Sequence, residues 1–63
     1  MTQKELLYVE DAIGHEDNMI AICQNSIDFL EDKKLIDFLE KEIKKHTTTR
    51  DQLMSMLEAK SNE

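Results

Sequence analysis

Four side chains in this sequence could do chemistry together: Glu16, Glu42, His46 and Arg50. Carboxylates and imidazoles bind transition metals, and four-helix bundles hold di-iron centres with inward Glu residues and Glu-x-x-His pairs. Glu42 and His46 instead give Glu-x-x-x-His, one residue too long for that motif. Arg50, one turn further on, would place a positive charge where a cation should sit. His15, beside Glu16, lies one step off the positions that a fold should bury and belongs at the rim. Glu16, His46, Glu42 and His15 are thus metal candidates short of a complete site, and no cofactor or catalytic residue is expected. Cys23 with His46 would be a nucleophile pair, but a thiol between Ile20 and Ile27 is desolvated and reacts poorly. The expected role of Glu16 is a buried ion pair with Arg50, with His46 nearby. Such a pair sets register and partner choice while adding little net stability.

These residues are positioned by a repeat. Leu6, Val9, Ile13, Glu16, Ile20, Cys23, Ile27 and Leu30 follow one another in alternating steps of three and four, the spacing of a helix packed along another helix. A second seam runs Ile36, Leu39, Ile43, His46, Arg50, Leu53 and Leu57, widened by Leu35, Met54 and Met56. Thr2 with Glu5 reads as a capping box that opens the first helix, and Asp32 as the cap of the second. The expected architecture is all-α: one helical-hairpin domain over 1–63, with helix 1 at about 3–31, a turn at about 32–34 and helix 2 at about 34–59. Gly14 should be tolerated inside the first helix, Thr47, Thr48 and Thr49 should weaken the second, and Ser61, Asn62 and Glu63 should fray.

Folded back on itself, the chain sets Ile27 against Leu39, Cys23 against Ile43, Ile20 against His46, Ile13 against Leu53 and Val9 against Leu57. The single carboxylate of one seam then falls opposite the single arginine of the other, at Glu16 and Arg50. On the first helix the seam is flanked by Ala12, Met19 and Ser26, and beyond these by Tyr8, His15, Ile22 and Phe29. That apolar arc spans roughly 160°, more than one neighbouring helix requires. A homodimer forming a four-helix bundle completes it. The methionines, and Phe29 with Phe38 near the turn, read as core filling.

Composition narrows the functional classes. A lone core in 63 residues is marginal without a disulfide, a metal or self-association, and one cysteine makes no internal disulfide. The net charge of -6 argues against a general nucleic-acid or anionic-membrane binder. No signal peptide or membrane-length apolar run is evident, so a soluble, cytoplasmic protein is expected. Charge is also uneven: through Glu31 seven acids and one lysine give -6, while from Asp32 onward seven acids meet seven bases. Two first helices should therefore avoid each other, and each should prefer a second helix as its neighbour.

With Thr2-Gln3-Lys4-Glu5-Leu6-Leu7, Val9-Glu10-Asp11, His15-Glu16 and a later stretch from Phe38-Leu39 to His46, the chain resembles the small spore coat proteins related to spore coat protein F. The resemblance covers most of the chain. It implies a ferritin-like helical protein of a spore-forming bacterium, acting as a coat or forespore component, and it matches His15 and Glu16 to the His-Glu pair of that family's first helix. The second helix departs from the Glu-x-x-His of ferritin relatives. The leading expectation is a structural or interaction protein. A regulatory adaptor docking a partner through its acidic helix and a metal-dependent oxidase are the alternatives; an RNA-binding hairpin dimer is an architectural precedent only.

Overall fold

Thr2 starts the first helix by reciprocal capping. Its Oγ1 accepts from the Glu5 amide at 3.1 Å, and its own amide donates to Glu5 Oε1 at 2.7 Å. Two amides that a helix N-terminus would leave unpaired are thereby satisfied. In the computed structural model, which describes the backbone of residues 1–61 and the side chains of residues 1–59, helix α1 spans Gln3–Ile27 and helix α2 spans Lys33–Ser61. The expected fraying of Asn62 and Glu63 lies outside the described residues, and Ser61 closes α2.

Helix α1 stops at Ile27, short of the expected boundary near residue 31. No described residue has positive φ, so the helix does not end with a left-handed cap. Asp28 caps it in the right-handed region, and Phe29 and Leu30 donate to the carbonyls of Ser26 and Ile27, a tighter turn that lets the chain reverse. Asp32 then opens α2, its Oδ1 accepting from the amides of Lys34 at 2.8 Å and Leu35 at 3.3 Å.

The threonine run does not break α2. Thr48 and Thr49 donate their hydroxyls to the carbonyls of Lys44 and Lys45, four residues back, and so are satisfied within the helix. Gly14 is equally harmless to α1: a Cβ built there meets nothing within 4 Å.

A helix of the length of α2 is about 44 Å long, and the whole molecule measures 47 × 15 × 11 Å. The two helices therefore lie side by side, and the short connection over residues 28–32 makes them antiparallel. Every residue of both seams is buried or half-buried. Outside the seams, only Ala12, Ser26, Glu42, Thr49 and Met54 share that status among the described side chains. Yet among the described residues only Ile13 and Cys23 are buried, and neither is sealed completely, because two rods enclose a line of contact and no volume. No helix among the described residues is long and apolar enough to cross a membrane.

Candidate functional site

The polar seam residues meet near the middle of the hairpin, in a different pairing from the one their spacing suggests. Glu16 does not pair with Arg50. His46 Nδ1 donates to Glu16 Oε2, while Arg50 Nε donates to Asp17 Oδ1. Because α1 ends at Ile27 and not near residue 31, the chain reverses earlier than expected, and the contact sets Glu16 one seam layer nearer the turn, beside His46, the residue expected opposite Ile20. Arg50 has a long stem that carries its guanidinium to the rim, where Asp17 is half exposed and Asp51 lies 3.8 Å away. The shorter imidazole stays inside and takes the enclosed carboxylate. Glu16 and His46 keep only 20% and 21% of their side-chain surface, so the pair is half-buried rather than buried.

The other ring nitrogen, Nε2, stands 3.5 Å from Glu42 Oε2, one turn back on the same helix. Each edge of the imidazole thus faces a carboxylate. A neutral ring donates to one of them and an imidazolium to both. Glu16 and Glu42 lie on opposite edges of the ring and do not converge with it on one point. No group of three His, Cys, Asp or Glu side chains among the described residues has the geometry to hold a metal ion. His15 is exposed and stands outside the cluster. Cys23, at 5% exposure, is packed inside the seam as a small apolar side chain. No pocket opens among the described residues.

The larger feature is a surface. Tyr8, Met19 and Ile22 of α1, and Leu35, Phe38 and Met56 of α2, are all exposed. Each stands one residue before a seam position: Tyr8 before Val9, Met19 before Ile20, Ile22 before Cys23, Leu35 before Ile36, Phe38 before Leu39 and Met56 before Leu57. One residue back is a rotation of 100° about the helix. Because the helices are antiparallel with their seams facing, that rotation turns both towards the same side of the hairpin. Of the large apolar side chains left exposed on the helices, Leu7 alone stands on the other side. Phe29, in the turn at one end, is 87% exposed.

The opposite side, one residue after each seam position, carries Glu10, Asp17, Asp37, Glu40, Asp51 and Glu58, with Lys44 as its base. The apolar side holds only Glu5, Glu42 and Lys45 as formal charges. Phe29, Phe38, Met19 and Met56 are therefore not core filling in the single chain, contrary to the reading from their type. Phe38, Met19 and Met56 line one face that a two-helix fold has no third layer to cover, and Phe29 stands exposed in the turn. The seven-residue recurrence of these side chains was the signal that could have united them.

Neither a family model, nor a curated protein, nor a solved structure matches this chain.

Proposed function

We propose that the chain is a structural or interaction protein that works as a homodimer, two hairpins closing their apolar faces into a ferritin-like four-helix bundle. One observation carries this reading. The chain exposes 5038 Å² at a mass of 7.4 kDa, whereas a folded monomer of that mass exposes about 4,200 Å². The excess, about 800 Å², equals the share that each partner contributes to a standard protein interface. Six large apolar side chains, Tyr8, Met19, Ile22, Leu35, Phe38 and Met56, stand exposed on one side of the hairpin.

The likeness of Thr2–Leu7, Val9–Asp11 and His15–Glu16 to coat proteins of the coat F type supplies a setting for such a dimer, as a spore coat or forespore component. Sedimentation over a dilution series, paired with melting curves, tests the dimer: the melting temperature should rise with protein concentration. A fully helical monomer at micromolar concentration contradicts it.

A second reading draws on the acidic side of the hairpin. Glu10 and Asp11, both exposed on α1, would remain outward in the dimer, available to an adaptor's partner protein. Glu10→Gln with Asp11→Asn would then abolish partner binding and leave the dimer intact; a partner still bound by the double variant removes this reading.

A further inference from the structure

Resting on the homodimer reading, we propose that Glu42, His46 and Glu16 link self-association to pH: closing the apolar faces takes up a proton at His46, and two copies join more tightly in mild acid than above neutrality. Leu35, Glu42, Thr49 and Met56 follow one another at intervals of seven residues and so form one stripe along α2. Leu35 and Met56 are exposed, and Glu42 stands between them with 28% of its side-chain surface open. A second copy that covers both ends of this stripe covers the carboxylate as well.

A carboxylate taken out of water needs a cation or several donors in exchange. Glu42 Oε2 lies 3.5 Å from His46 Nε2, and the Nδ1 of the same ring bonds Glu16 across the seam. A neutral ring with its hydrogen on Nδ1 turns a bare Nε2 towards Glu42, lone pair against carboxylate. An imidazolium donates to both acids and leaves the three groups with one net negative charge in place of two. Association therefore favours the protonated ring, and the proton in turn favours association. That contribution is present in acid and is lost as pH rises and the ring gives up its proton.

The charges around the ring are engaged elsewhere. On α2, Arg50 lies one turn beyond His46 and bonds Asp17 at the rim, while Lys45 is exposed and keeps its ammonium in water. On α1, Glu16 is the charged residue that meets the ring, and His15 beside it is exposed. His15 also stands one residue before a seam position, on the apolar side. A second copy that desolvated His15 would drive its proton off, because burial disfavours the charged imidazole. The two histidines thus give opposite signs, and the sign of the pH dependence tells which of them governs.

Sedimentation equilibrium at about pH 5.5 and about pH 7.5 tests this, a window in which histidine is the side chain that ordinarily changes charge. The parent chain should associate about tenfold more tightly at the lower pH. Glu42→Gln, which keeps the shape and removes the charge, and His46→Gln should each flatten that difference, and His15→Gln should keep it. Glu40→Gln, exposed on the opposite side, removes the same unit of charge from the net -6 and should also keep it. That control separates the three linked groups from general repulsion between acidic molecules. Association equal or weaker at the lower pH, or a pH dependence unchanged in Glu42→Gln and His46→Gln, overturns the proposal and leaves the dimer standing. A chain that is monomeric at both pH values and every concentration overturns the dimer itself.

Discussion

Glu16 and His46 bridge the two helices from positions thirty residues apart, and both ring nitrogens of His46 face carboxylates. This places the polar contact of the hairpin between an acid and an imidazole, with Arg50 turned away to Asp17. A double-mutant cycle with Glu16→Ala and His46→Ala should return a coupling of about 1 kcal/mol. The cycle for Asp17 and Arg50, at the exposed rim, should return about 0.2–1 kcal/mol. The cycle for Glu16 and Arg50 should return the smallest value of the three. A Glu16–Arg50 coupling larger than Glu16–His46 would reverse the assignment.

Gly14 lies exposed inside α1 with open space where a Cβ would be. Gly14→Ala should stabilise the protein by about 1 kcal/mol through helix propensity. For a domain of this size that is a rise of roughly 4–8 °C in Tm. Gly14 stands one residue after Ile13, on the side away from the apolar face, so the substitution should leave self-association unchanged. A lower Tm would show that the site is closed to a methyl group.

The capping box makes the start of α1 sensitive to acid. Hydrogen bonds from the backbone and then the side chain of Thr2 hold the Glu5 carboxyl below its ordinary value. A carboxyl depressed in the folded state contributes stability that is present above its unfolded value and is lost as pH falls through the folded one. Protection of the first-turn amides, taken relative to their intrinsic exchange rate at each pH, should therefore fall below the usual carboxylate range, as the box opens. Thr2→Ala should remove that pH dependence; a first turn equally protected on both sides of the range contradicts the box as its cause.

Much of this fold can be read from spacing. The two seams, the box at Thr2 and Glu5, and the cap at Asp32 are local or periodic patterns, and each appears where its pattern places it. What spacing does not carry is the register to better than one turn. Glu16 meets His46, one layer nearer the turn than Arg50, because α1 ends earlier than its seam suggests. The end of α1 was likewise hidden, since no glycine marks the reversal and the chain turns through right-handed residues instead. Burial was the third loss. A wheel puts Phe38 and Met56 beside their seam, but whether they are covered depends on a further layer, and a single hairpin has none.

The apolar face is the centre of this account, and a matched pair of substitutions tests it most directly. Ile22 and Leu7 are both exposed on α1, at 50% and 55%, on opposite sides of the hairpin. A glutamate at either site therefore leaves the fold of one chain much as it was. Sedimentation equilibrium should show Ile22→Glu weakening self-association at least tenfold, about 1.4 kcal/mol, with Leu7→Glu associating like the parent chain. Equal association by both variants, or a parent chain that remains at 7.4 kDa at every concentration, would contradict the proposal that this face joins two copies.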